Sequence, residues 1–243
     1  MTKNSIKNVE HSAQFMRGIK DGIPICLGYV SVAFAFGIFS INQGLTPLQA
    51  VLISLFNVTS AGQLAGVPII TGGLPFIEMA LSQLIINARY ALMSISLSQK
   101  LDKSVRLIDR FLIAFVNTDE VFAVASGQKN LVSRWYCFGL ILTPYLGWAS
   151  GTALGAAAGN ILPEIINNAL GIAIYGMFIA IVVPVGKIKK NVLGASLSAC
   201  VLSVAFNVVP ILKNVSGGFV IIICAVVSST IWAIISPIKE ENA

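Results

Sequence analysis

Glu78, Arg89, Asp119 and Glu120 are the only four of the chain's 26 Asp, Glu, Lys and Arg residues that fall inside apolar runs. A charge at the centre of a bilayer costs at least ~2.5–3.5 kcal/mol, so each needs an opposite charge or a water-filled cavity. Arg89 lies deep in its run and requires an anion, and Asp119 is the best partner the sequence offers. The two are either a structural ion pair or a place where a charged solute can exchange with one member. Glu78 follows Pro75 by three residues, which makes it either interfacial or a candidate coupling acid. It shares a helical face with Arg89 but stands about 16 Å away along the axis, too far to pair. A second polar cluster, Asn57, Thr59, Ser60, Gly62, Gln63 and Gly66, lies within ten residues. Its hydroxyls and amides either hydrogen-bond across helices or face a solute.

These groups must be held by membrane helices. Hydrophobic residues make up 56% of the 243 and charged residues 11%, with net charge +6 and a mean hydropathy of +0.85. A soluble domain carries about 25% charge. Residues 22–77 contain no charge at all, enough chain for two crossings of roughly 20 residues each. The apolar runs are Gly22–Ser40, Leu48–Ile70, Leu74–Leu97, Phe111–Ala125, Trp135–Gly159, Ile165–Val185, Asn191–Val209 and Gly217–Ile235. Pro24 falls in the first turn of the first run. Thr46-Pro47 reads as an N-cap followed by an N1 proline. The fourth run is short and interrupted by Asn117-Thr118-Asp119-Glu120.

Eight runs need not be eight spans. With Lys3, Lys7, Arg17 and Lys20 inside, eight crossings would place the basic loop at 100–110 outside, against the positive-inside rule. If the second and fourth runs each enter and leave on one side, the loops around Lys103, Lys129 and Lys189 all face the cytoplasm. Dropping only one of the two puts the lysines at 187–190 outside. The expected fold is therefore an all-α polytopic membrane protein. It has about six full transmembrane helices plus two broken or re-entrant segments, with eight spans as the alternative. The whole chain, 1–243, reads as one integral membrane domain, with a cytoplasmic arm at 1–20 and a cytoplasmic tail at 236–243. The two anomalous runs are also the polar ones, and irregular backbone at membrane depth is tolerated only where it is buried in protein or lines a cavity. In secondary transporters such interrupted helices form the substrate site.

Several function classes drop out. The basic charge sits in short loops, as a topology signal, so no nucleic-acid partner is expected. No apolar h-region with a cleavage site follows the polar start, so a removable signal peptide is not expected. Cys26, Cys137, Cys200 and Cys224 lie in apolar runs without CxxC spacing and read as free thiols. The single histidine, His11, is in the N-terminal arm, so neither a metal site nor a cofactor is expected. Without an intramembrane histidine or a nucleophile–base pair, an enzyme is not expected either. Gly147, Gly151, Gly155 and Gly159 form a four-residue ladder that lets another helix approach closely, within this chain or from another subunit.

Gly28-Tyr29, Ala35-Phe36-Gly37, Ala61-Gly62-Gln63, Asn87-Ala88-Arg89 through Leu92-Met93-Ser94, and Thr118-Asp119-Glu120-Val121-Phe122 together resemble the AzlC family. The resemblance runs from about Arg17 to Val185 and more loosely to the end. It implies the large subunit of a bacterial branched-chain amino acid exporter of the cell membrane, working with a small AzlD-like subunit. The implied substrates are leucine, isoleucine and valine, extending to methionine, and the implied drive is the proton motive force. It adds Asn87 to the candidate set, which becomes Asn57, Thr59, Ser60, Gln63, Asn87, Arg89, Thr118, Asp119 and Glu120, with Glu78 a further coupling acid. One departure stands out. Many relatives carry an acid early in the sixth span, whereas this chain has Ala173 amid Gly171 to Phe178. Two other readings remain beside the exporter: a transporter of another small zwitterion, and a non-transporting assembly subunit.

Overall fold

The computed structural model describes residues 3–159, 163, 165, 179, 182–184 and 186–236, with side chains from residue 9 onward. Among these, the chain is helical throughout: α1 (Lys3–Asn42), α2 (Pro47–Phe56), α3 (Ser60–Thr71), α4 (Phe76–Lys100), α5 (Leu107–Phe115), α6 (Asp119–Ser126), α7 (Arg134–Gly159), α8 (Lys190–Val208) and α9 (Gly217–Ile235). An isolated β-bridge joins Leu101 to Val132. Three helices are long and apolar enough to cross a membrane: α1 from Val9, α8 and α9. At 25 and 26 residues, α4 and α7 also exceed the roughly 20 residues a crossing needs. The protein is an all-α membrane protein. The sixth apolar run, Ala173 with it, lies almost wholly outside the described residues, as does the tail beyond Ser236.

From Lys3 the N-terminal arm is helical, and α1 runs unbroken for 40 residues. Pro24 therefore sits in the helix interior, where it removes the donor for the Lys20 carbonyl. The polar turns before it are held by residues of the loop before α7 and of its first turn. Arg17 Nη2 donates to Gln128 Oε1 at 2.5 Å, Tyr136 OH to Asp21 Oδ2 at 2.7 Å, and Ser133 Oγ to Gln14 Oε1 at 3.3 Å. After Asn42 the chain reverses through Gly44, whose φ of +90° is a conformation that costs other residues energy. Thr46 then caps α2. Its hydroxyl accepts from the Gln49 N–H at 3.3 Å, and the Gln49 side chain accepts from the Thr46 N–H at 2.8 Å, which completes a capping box.

The described residues fall into two compact units. The first holds α1, α2, the start of α3, α4 from Asn87 on, and α5, α6 and α7. Its spine is the pair α1 and α7. Gly18 lies against Tyr136 and Leu140, Gly147 against Cys26, Gly151 against Val30, Gly155 against Phe34, and Gly159 against Ile41. Both numberings rise together, so the helices run parallel and the glycine ladder meets the backbone of α1. Two parallel spans require an odd number of crossings between Asn42 and Arg134. With the third run crossing, the second and fourth apolar runs therefore both cross or both return.

The fourth run returns to where it began. At the start of α5, Asp109 accepts from Arg134 Nη2 at 3.3 Å, at the first residue of α7. Beyond the end of α6, Gln128 reaches Arg17 and donates to Tyr136 OH at 2.7 Å. Between them the helix breaks at 116–118, and Glu120, just past the break, meets Tyr29. Tyr29 is twelve residues along α1 from Arg17, about 18 Å at 1.5 Å per residue. The segment is a helical hairpin with both ends at one level and its tip deep in the unit.

In the second unit, α8 and α9 pack through Gly194, where a side chain would overlap the Trp232 ring, and Gly66 faces Met79 and Gln83. Glu78 is 1% exposed, and its Oε1 accepts the Gly218 N–H at 2.7 Å in the first turn of α9. A carboxylate at a helix N-terminus is favoured by the dipole. The sequence left Glu78 either interfacial or a candidate coupling acid; in the structure its side chain is buried against the start of α9.

Candidate functional site

Within the first unit, two broken helices converge on one aromatic cluster. α2 descends from the C-terminal end of α1 and breaks at 57–59. Ser54 Oγ lies 2.7 Å from Thr152 Oγ1, and the Leu55 carbonyl accepts from Tyr145 OH at 3.0 Å. The chain restarts as α3, with Thr59 Oγ1 accepting the Gly62 N–H at 3.1 Å. Gln63 closes the hairpin: its Nε2 donates to Ser54 Oγ and its Oε1 accepts from Trp148 Nε1, both at 3.0 Å. α5 and α6 arrive from the opposite end, with Phe115 beside Tyr145 (ring centroids 6.1 Å) and Tyr29 edge-on to Trp148 at 5.3 Å. Each break frees a helix N-terminus near the middle of the α1–α7 pair, where the macrodipole favours negative charge.

The candidate residues divide by what they touch. Gln63 is 1% exposed with both ends of its amide engaged, which makes it a fastener between α2, α3 and α7. Asn57 ends α2 as its C-cap, and Ser60 opens α3; both are half-buried at the first break. Asn87 is half-buried on α4, two residues before Arg89. Thr118 is the N-cap of α6 and is buried, and its hydroxyl has no hydrogen-bond partner among the described residues. Asp119 and Glu120 form the first turn of α6.

Arg89 and Asp119 are joined by an ion pair, and their side chains keep 50% and 47% of their exposure. Arg89 Nη2 also donates to Tyr90 OH at 3.2 Å. Lipid against a half-open ion pair would leave charge in hydrocarbon, so its open side calls for water or another polar group. The pair leaves room for a third charged group. Glu120 is exposed, and its Oε2 accepts from Tyr29 OH at 2.5 Å. Arg89, Asp119 and Glu120 thus gather a cation and two anions beside the second break, while Glu78 belongs to the other unit. Among the described residues no three His, Cys, Asp or Glu side chains come together as a metal site would need.

Tyr29 and Trp148 were not among the site residues expected from the sequence, although both touch it. The signal was present in Tyr29: a phenol in a charge-free stretch needs a partner when buried, and it is 8% exposed. Trp148 offered only its indole N–H, which any acceptor could satisfy.

The AzlC protein family matches residues 24–162, which contain both broken helices and the ion pair. The chain belongs to the AzlC family. Among relatives of this AzlC protein, an uncharacterized membrane protein of Archaeoglobus fulgidus is 30% identical over 202 residues, 82% of this chain and 88% of the relative. The inner membrane protein YgaZ of Escherichia coli is 31% identical over 70% of the chain and 72% of its own length. The branched-chain amino acid transport protein AzlC of Bacillus subtilis is 24% identical over 61% of the chain and 59% of its own length. No solved structure matches the chain.

Proposed function

We propose that the chain is a secondary transporter that exports leucine, isoleucine, valine and methionine, driven by the proton motive force and working with a small AzlD-like membrane subunit. The observation that carries this reading is the half-open Arg89–Asp119 pair beside two helix breaks that meet at Tyr29, Tyr145 and Trp148. A zwitterion needs a cation or N–H donors for its carboxylate and an anion for its ammonium. Arg89 and the N-terminus of α3 supply the first, and Asp119 and Glu120 supply the second. The transport named for the Bacillus subtilis relative supports an aliphatic side chain. Proton coupling is assigned to the same acids or to Glu78, since either group can hold the proton that an anion exchanges.

Counterflow of labelled leucine in proteoliposomes tests this. Leucine-loaded vesicles should accumulate label, unlabelled isoleucine and valine should compete, and a pH gradient should raise the accumulation. Absence of leucine exchange both with and without an AzlD-like partner would overturn the reading.

In this reading both termini face the cytoplasm of a cell-membrane protein, and so do the loops carrying Lys103, Lys129 and Lys189. Reporter fusions after Lys103 and Lys189 should both report a cytoplasmic position. Fusions on opposite sides would restore eight crossings.

A further inference from the structure

A groove of about 200 Å³ runs between α4 and α5 in the first unit. Its walls are Leu97, Leu101, Leu107 and Phe111, Arg110 stands at its mouth, and Asn117 lies at its deep end. Arg110 is exposed and sits one residue from Asp109, at the level where α5 and α7 begin. Asn117 is 3% exposed and lies in the second helix break. Its Nδ2 donates to Ser94 Oγ at 3.2 Å, while its Oδ1 is buried without a hydrogen-bond partner among the described residues. An unpaired buried carbonyl costs ~1–3 kcal/mol, and an arriving N–H donor removes that cost.

We propose that this groove is the cytoplasmic intake for aliphatic amino acids, leading from Arg110 to the second helix break. The inference rests on the exporter reading and deepens it. Arg110 and Asn117 are seven residues apart, about 10 Å along α5, so they serve as successive stations rather than one pose. Arg110 draws in the carboxylate at the mouth, where no competing carboxylate lines the groove. The leucine and phenylalanine walls hold a branched aliphatic side chain, with Ser94 and Ser98 the uncharged polar residues of the lining besides Asn117. At the deep end the Asn117 side chain, two residues from Asp119, turns its buried Oδ1 toward the groove to meet the ammonium. An acyl chain of a lipid would fill the apolar walls but would leave that oxygen unpaired.

The test uses Ser98, which lines the groove from α4. Ser98→Cys and, on the facing wall, Ala114→Cys are made singly in a chain whose four native cysteines are replaced by alanine. Inside-out membrane vesicles containing the AzlD-like partner are treated with an anionic, membrane-impermeant methanethiosulfonate. Labelling at either position should stop leucine transport, and saturating leucine should slow labelling about tenfold or more while glycine does not. Arg110→Gln should raise the leucine concentration needed for protection about tenfold, the scale of one lost charged hydrogen bond. Labelling that leucine leaves unchanged, in vesicles that do transport leucine, would assign the groove to lipid and overturn the intake while leaving the exporter reading intact. Vesicles of the unsubstituted chain that fail to exchange leucine would overturn both.

Discussion

Gly155→Leu should leave almost no assembled protein in the membrane, while Gly28→Ala should leave the amount unchanged. A side chain on Gly155 would overlap the carbonyl oxygen, carbonyl carbon and Cα of Phe34, all backbone atoms of α1. Backbone cannot rotate away, so the two helices must separate, and the contacts from Gly147 to Gly159 separate with them. Overpacking a well-packed core costs ~1–3 kcal/mol; here the displaced group is a whole helix, so the loss should exceed that range. Gly28 sits on α1 with nothing within 4 Å of where its Cβ would lie, and alanine there improves helix propensity. The measurement is the detergent-extractable monodisperse fraction of each variant relative to the unsubstituted chain. Normal recovery of Gly155→Leu would mean that the ladder does not hold α1 against α7.

The ladder also marks what could be read from the sequence. A glycine every four residues along one run is visible without any structure, because i and i+4 share a helical face. What it faces is not visible. The residues of α1 that meet it, Cys26, Val30, Phe34 and Ile41, are ordinary apolar residues, and three of them touch it through their backbone, which has no sequence signal. Both helix breaks were legible for the opposite reason. Asn57 to Ser60 and Asn117 to Glu120 put capping and turn residues into runs that were otherwise apolar, and the charge arithmetic of the loops singled out the same two runs. The helical form of the N-terminal arm had no signal in its composition, because polar side chains say nothing about the partners they will meet. Gln14, Arg17 and Asp21 find partners on Ser133, Gln128 and Tyr136, which keeps α1 helical beyond its apolar stretch. Arg89 and Asp119 could be matched from sequence because a lone membrane cation has so few anions to choose from. Tyr29 escaped because an uncharged phenol gives no such arithmetic.

Asp119→Asn should lower leucine exchange by on the order of a hundredfold, the scale of a lost charge-assisted contact of ~3 kcal/mol. Its effect on assembly reports what surrounds the pair. If lipid covered it, the uncompensated Arg89 would cost several kcal/mol and the protein would be lost. The two side chains keep about half their exposure, which points to a water-filled space, and there a broken pair costs only ~1 kcal/mol or less. Assembly of Asp119→Asn should therefore stay near normal while transport collapses. The double variant Arg89→Gln, Asp119→Asn separates the two roles of the carboxylate. A purely structural pair predicts recovery, since neither charge is left alone and the double change should harm less than the two single changes combined. A carboxylate that meets the substrate ammonium predicts a protein that assembles and stays inactive, because no neutral pair can replace it. Additive losses in assembly would show that Arg89 and Asp119 act independently. Full leucine exchange in Asp119→Asn would take the ammonium role from Asp119 and leave Glu120, held by Tyr29, as the acid beside the break.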